Sequence, residues 1–246
     1  MKKSQKQLAD LLISTKTHAK VRRKKQNPDG SYEFYYVIRD TSPIDFRIDP
    51  SEFAFVHHEK HPQAPLSPII VNLRNLPDSL NKKIAESMAE MRLKQIPDFC
   101  TGIPNAAIPY AKEFSNVTKI PYLTIFEKDD KPGSPRILPA KEALPGNGKT
   151  LLIVDDVITK GESKFRAFKV AEELGFKVLG LIVLIDRGEG GKEMIEQADY
   201  QFYAPFTLIG ILDYYLEKRK ITQEQYNESV EYLKQSNKID KFDKIG

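Results

Sequence analysis

Leu151-Leu152-Ile153-Val154-Asp155-Asp156-Val157-Ile158-Thr159-Lys160-Gly161-Glu162-Ser163 passes from an apolar tetrad into two adjacent carboxylates and then a short polar turn. The unbroken apolarity of Leu151–Val154 predicts a strand buried on both faces, as in a parallel sheet. After the turn, Phe165, Phe168, Ala171 and Leu174 recur at helical spacing and Gly175 stops the run. In open α/β sheets, ligands bind beyond the carboxyl ends of strands, where the next helix begins. The amides of Thr159 to Ser163 then lie at a helix N-terminus, where unpaired N–H groups favour a phosphate. Asp155 and Asp156 beside such a cradle suit the hydroxyls of a phosphorylated sugar. The plainer alternative is an acidic pair that caps the helix and faces solvent.

Outward from this stretch the pattern alternates. A helix starts at Pro77-Asp78-Ser79 with Leu80, Ile84, Met88 and Met91 on one face. Phe99–Thr101 reads as a strand, a helix follows near Ile108, and Tyr122–Phe126 reads as another strand. Glu127–Pro135 is polar and reads as exposed and mobile. Val178–Ile185 and Tyr200–Ala204 complete the strands. Thr207–Leu216 reads as a helix, and Thr222 with Gln225 forms a capping box for a last one carrying Tyr226, Val230 and Leu233. This alternation over residues 98–204 predicts an α/β fold with a mostly parallel sheet flanked by helices. Gly146-Asn147-Gly148-Lys149-Thr150 is not a nucleotide-binding P-loop: Ala143 stands where that motif needs Gly, and a strand follows instead of a helix.

Residues 1–66 differ in character and are expected to form a small hood, leaving 67–246 as the core with C-terminal helices. Gln5–Ile13 reads as a short helix. The basic run Lys20–Lys25, the turn Asn27-Pro28-Asp29-Gly30 and the β-rich Ser31–Ile38 predict a hairpin with a solvated basic strand. No aromatic residue interleaves the basic run, so no nucleic-acid partner is expected. His57, His58 and His61 in a Pro-punctuated segment are expected in a solvated loop, not around a metal.

A chain of 246 residues accommodates one large α/β domain and a small lobe. No apolar stretch is long enough to span a bilayer, and Met-Lys-Lys-Ser-Gln-Lys lacks the apolar core of a secretory signal. With Cys100 the lone cysteine and expected in the core, a reducing cytoplasm is the expected location. The net charge of +4 fits an anionic small substrate without requiring one.

The string Val154–Ser163 resembles the phosphoribosyl pyrophosphate (PRPP) motif of type I phosphoribosyltransferases, V-D-D-V-x-T-T-G-x-S. Lys160 replaces a Thr, and Glu162 stands where Gly, Thr or Lys is common. That resemblance favours the sugar-phosphate pocket over the solvated cap. Further segments resemble the orotate phosphoribosyltransferase family in its order. Ser67-Pro68-Ile69-Ile70-Val71-Asn72 is similar to its S-P-x-Y/F-x-N/D segment, and Phe99–Pro109 to its pyrophosphate loop. Ile185-Asp186-Arg187-Gly188-Glu189-Gly190-Gly191 is similar to its L-D-R-x-x-G-G.

The resemblance implies that pyrophosphate on PRPP is displaced by a ring nitrogen of orotate, giving orotidine 5′-monophosphate. It also implies Mg²⁺ and a homodimer. Asp155 and Asp156 would hold the ribose hydroxyls. The PRPP site would run through Val157, Ile158, Thr159, Lys160, Gly161, Glu162 and Ser163. Ile103, Pro104, Asn105 and Ala106 would meet pyrophosphate, while Arg187, Thr159 and Ile70 would meet the base. Lys128 and Lys131 match the catalytic loop R-K-E-x-K-D-H/Y-G, in which Glu127 replaces the Arg and the His/Tyr position is lost or is Pro132. Arg187 has a second reading, as an ion-pair partner of Glu189. Transfer to another nucleobase, and PRPP binding without catalysis, stay open as alternatives.

Overall fold

A computed structural model of the chain describes residues 1–55, 57–129 and 136–239. In chain order the first elements are α1 (Lys3–Ser14), β1 (Thr17–Gln26), β2 (Tyr32–Thr41), β3 (Ile44–Phe46), α2 (His57–Lys60), β4 (Ile69–Val71), α3 (Asp78–Ala89), β5 (Phe99–Gly102) and α4 (Ile108–Thr118). They continue with β6 (Phe126–Asp129), β7 (Arg136–Pro139), β8 (Thr150–Ile158), α5 (Glu162–Glu173), β9 (Lys177–Asp186) and α6 (Gly191–Gln197). The last are β10 (Gln201–Tyr203), β11 (Phe206–Thr207), α7 (Leu208–Glu217) and α8 (Gln223–Ile239). Backbone contacts group residues 1–8 with 75–210 in one unit, and residues 9–74 with 211–246 in the other.

The first unit holds the sheet, in the order β10-β9-β8-β5 with every pair parallel and β11 also on β9. The expected α/β architecture is therefore present. Leu151, Ile153, Val154, Leu181, Ile182 and Val183 are wholly buried, as strands covered on both faces require. On α5, Phe168 lies 4.5 Å from the ring of Tyr200 and 5.6 Å from that of Phe165. The helix stops as expected at Gly175: the Gly175 amide donates to the Glu172 carbonyl and the Phe176 amide to the Ala171 carbonyl. Cys100 is buried in β5, and burial pushes its thiol up to about 12.

Three expectations change within this unit. The strand expected at Leu151–Val154 continues to Ile158, because β9 pairs with it as far as Ile158↔Asp186; backbone bonding does not stop where side chains become polar. The strand expected at Tyr122–Phe126 reduces to a bridge from Tyr122 to Cys100. Glu127, Lys128 and Asp129, expected to be exposed and mobile, are half-buried in β6 and pair with Leu138, Ile137 and Arg136 of β7. Residues 130–135, including Lys131 and Pro132, lie outside the described residues.

The second unit contains the antiparallel ribbon β1–β2, turning at Asn27–Ser31 as expected. Its basic strand is not simply solvated. Arg22 lies 4.7 Å above the ring of Phe34 and Lys24 5.3 Å above that of Tyr32, aromatics brought alongside by the neighbouring strand. Arg22 also pairs with Glu59, and Lys24 donates to the Pro62 carbonyl at 2.7 Å. His58, expected in a solvated loop, is buried, with its ring nitrogens against the backbone of Phe55 and Pro65. β4 pairs antiparallel with β3, and backbone contacts group residues 67–74 with 9–66. The Thr222–Gln225 capping box forms in both directions, at 2.9 and 3.1 Å. No helix among the described residues is long and apolar enough to cross a membrane.

Glu52 anchors this unit. It is fully buried and takes Arg23 at 2.9 Å, Arg39 at 3.0 Å and the Ile48 amide at 3.1 Å. Burial alone would raise its pKa, but the hydrogen bonds from Arg23, Ile48 and Arg39 outweigh it and hold the carboxyl below its ordinary range. A depressed folded pKa contributes stability that is present above the unfolded value and lost as pH falls through the folded one. The midpoint of urea unfolding is therefore expected to fall as the pH drops below about 4.3, the ordinary value for a Glu carboxyl, and on through the lower folded value. Glu52→Gln is expected to flatten that dependence, and an equal slope in both proteins would contradict the assignment.

Candidate active site

The carboxyl ends of β8 and β9 and the turns after them bring the candidate residues together. At the end of β8, Asp155 is 4% exposed while Asp156 is half-buried. Asp155 is held from two sides: Lys164 Nζ donates to Oδ2, and the Asp156 amide donates to Oδ1 at 2.8 Å. Burial drives the Asp155 pKa upward, Lys164 draws it back, and the adjacent Asp156 charge adds to the rise. The net direction is up. Asp156 Oδ1 accepts the Val157 amide at 2.7 Å. Asp156 is thus the outer carboxylate of the pair, and Asp155 the inner one.

The turn Thr159–Gly161 leads into α5, whose N-cap Gly161 adopts φ 88° and supplies no side-chain cap. The amide of Lys164 is used by the Gly161 carbonyl at 2.8 Å. The amides of Glu162 and Ser163 donate no such bond among the described residues, and both residues are exposed. An uncapped first turn with outward amides is an anion site in waiting. Glu162, on the first turn of α5, opposes an anion there, and its exposure lets water screen it.

The turn after β9 packs directly on this cradle. A Cβ at Gly191 would stand 2.3 Å from the Thr159 carbonyl oxygen, so the two turns meet backbone to backbone. Asp186 ends β9, 6% exposed, and accepts the Gly188 amide at 2.8 Å, while burial raises its pKa. Arg187 Nε lies 2.7 Å from Glu189 Oε1, with the two side chains 12% and 8% exposed. Neither atom has hydrogen-bond alignment with a partner, so the contact is an ion pair by distance alone. The ion-pair reading of Arg187 therefore describes its contact, in an enclosed setting instead of on an open surface.

β5 ends beside β8, and the Ile103 amide donates to the Val154 carbonyl at 3.0 Å. This places Ile103–Ala106 at the same sheet edge as the acidic pair, with Asn105 exposed and Pro104 and Ala106 half-buried. The Pro104–Asn105 peptide bond is cis. Lys128 lies in β6, half-buried. Ile70 belongs to the other unit, half-buried in β4 opposite Asp45. Lys131 lies outside the described residues. A cleft of about 590 Å³ lined by Tyr122–Ile125, Ala140–Glu142 and Leu144 contains none of these groups. Strand-end chemistry, not cavity size, marks the site.

Lys164 and Gly191 carry the site's internal contacts although neither stands out as a ligand-type residue. Lys164 falls on the apolar stripe of α5 with Ala167, Phe168 and Ala171, and a charge at such a position signals a buried partner.

A parallel sheet whose acidic strand end opens onto an uncapped helix is the arrangement that the phosphoribosyltransferase resemblance implies. The solved structure of Leishmania donovani UMP synthase superposes with a TM-score of 0.63 at 24% identity, covering 78% of this chain and 39% of that one. No family model matches the chain. The orotate phosphoribosyltransferase of Pyrococcus horikoshii is 35% identical over 131 residues, 53% of this chain and 67% of that protein. That of Aquifex aeolicus is 30% identical over 131 residues, 52% of this chain and 72% of that protein. The chain belongs to the orotate phosphoribosyltransferase family.

Proposed function

We propose that the chain transfers the ribose 5-phosphate group of PRPP to orotate, yielding orotidine 5′-monophosphate and pyrophosphate on the route to UMP. The observation that carries this reading is the Asp155–Asp156 pair opening onto the uncapped α5 N-terminus. The 5′-phosphate rests on the Glu162 and Ser163 amides, within the PRPP segment Val157–Ser163. Asp156 accepts the ribose hydroxyls, backed by Asp155. As the bond from C1′ to pyrophosphate breaks and the bond to the base nitrogen forms, positive charge grows on the ribose and negative charge on the leaving oxygens. A carboxylate beside the sugar and cations beside the pyrophosphate stabilise that separation. Ile103–Ala106 supply backbone to the pyrophosphate, and Lys128 and Lys131 supply charge.

Mg²⁺ fits this donor set as an ion carried by the substrate. No group of three or more metal-binding side chains gathers among the described residues, and this ion keeps waters and phosphate oxygens as ligands in preference to a protein cage. Its chemistry when bound is to neutralise the pyrophosphate. Turnover is expected to stop on chelation and return when Mg²⁺ is restored. A homodimer and a cytoplasmic location complete the reading.

Arg187, with Thr159, is assigned to the base. Glu189 holds the guanidinium at the turn, from which its remaining N–H groups reach an orotate carboxylate. Arg187→Ala is expected to raise KM for orotate roughly tenfold or more, the worth of a charge-assisted hydrogen bond, with KM for PRPP little changed. Equal effects on both constants would remove the base assignment.

The deciding experiment is a steady-state assay with PRPP, Mg²⁺ and a panel of bases. Turnover with orotate is expected. Turnover only with uracil or a purine would select another base, and PRPP binding without turnover on any base would select a non-catalytic role, for which Glu127 is the motivating departure.

A further inference from the structure

Lys164 stands one residue beyond the string that resembles the PRPP motif, in the first turn of α5. A lysine is seldom buried without a partner, yet this one is 8% exposed. Its ammonium donates to Asp155 Oδ2, whose carboxylate accepts the Asp156 amide through Oδ1 at 2.8 Å. An unbroken set of contacts therefore runs from the phosphate-binding end of the helix, through Lys164 and Asp155, to the backbone of the carboxylate assigned to the ribose.

We propose that Lys164 is a positioning residue for PRPP: through Asp155 it fixes the spacing between the α5 amides and the Asp156 carboxylate, and it neutralises Asp155 so that Asp156 alone presents charge to the sugar. The inference rests on the reading of this site as a PRPP pocket.

The 5′-phosphate and the ring hydroxyls belong to one small, stiff sugar. A strand end and a helix end that grip both must keep their separation, since small misplacements of binding groups carry large penalties. Lys164 bridges these two ends, whereas Asp156 turns to its own neighbour, the Val157 amide. Charge points the same way. Asp155, Asp156 and Glu162 gather anions around a phosphate, and Lys164 removes the innermost of them. Recognition of the base falls mainly to Arg187 on the neighbouring turn and so depends on this spacing less than the grip on PRPP does.

The test is steady-state kinetics with PRPP and orotate varied separately, for the wild type, Lys164→Met and Lys164→Gln, with circular dichroism to establish folding. Lys164→Met is expected to raise KM for PRPP about tenfold or more while KM for orotate stays within about twofold. Lys164→Gln, which keeps a donor toward Asp155, is expected to show a smaller rise of the same kind. A structural role alone would lower melting temperature and active fraction with KM for PRPP unchanged, and that result overturns the proposal. Should Lys164→Met fail to fold, Lys164→Gln decides: a wild-type KM for PRPP there also overturns it. A wild type that shows no PRPP-dependent turnover would overturn the parent reading, and is visible before any variant is made.

Discussion

Asp156→Asn is expected to lower kcat/KM for PRPP roughly a hundredfold while leaving the melting temperature nearly unchanged. Asp156 is half-buried at the sheet edge, and the contact it makes, from the Val157 amide, is one that an Asn oxygen also accepts. The fold therefore loses little. What disappears is the negative charge, which strengthens hydrogen bonds from sugar hydroxyls and opposes the positive charge that develops at C1′. Both losses fall on the reacting sugar, so kcat should drop together with affinity. Parallel assays of turnover and thermal unfolding separate this from damage to the protein. A large fall in melting temperature with kcat unchanged would assign Asp156 to the scaffold.

Gly180→Ala is expected to cost roughly 3 kcal/mol of stability, the upper part of the range for forcing atoms into a filled space. A Cβ at this position would stand 2.0 Å from the Gln201 carbonyl oxygen, backbone of the adjacent strand β10. Gly180 also sits where the β8–β9 register slips, between the pairs Leu151↔Val178 and Leu152↔Gly180. Such irregularities bend a strand and concentrate at glycine. The methyl group must push β10 away or distort β9, the strand shared by β8, β10 and β11. Urea unfolding measures the effect: a lowered midpoint with an unchanged slope is the predicted signature. A wild-type midpoint would mean that the β9–β10 pair tolerates an opening which this packing forbids.

The order of strands and helices across residues 98–204 was legible because it rests on periodicity. Leu151–Val154 and Val178–Ile185 are apolar runs of strand length, and Phe165, Phe168, Ala171 and Leu174 repeat at helical spacing. Local capping chemistry was equally legible at Gly175 and at Thr222–Gln225. What periodicity could not show is pairing. β8 outlasts its apolar run because β9 continues to bond with it, and β6 forms from polar residues because β7 lies opposite. His58 is buried by a Pro-punctuated segment that carries no period at all.

The site divides in the same way. The acidic pair, the turn and Arg187 stood out as candidates by residue type and spacing. Their partners did not. Lys164 lies nine residues after Asp155, and only the placement of helix against strand brings the two charges together. Gly191 looks like one glycine among several in its turn until the Thr159 carbonyl is found against it.

The most direct test of the sugar-phosphate pocket is amide-resolved NMR of the chain titrated with PRPP and Mg²⁺. The largest shift changes should fall on the amides of Glu162 and Ser163, with Asp156 and Val157 next, and they should be absent in Asp156→Asn at the same PRPP concentration. Saturable changes confined to the cleft around Tyr122–Ile125 and Ala140–Glu142, with the Glu162 and Ser163 amides unmoved, would contradict the account.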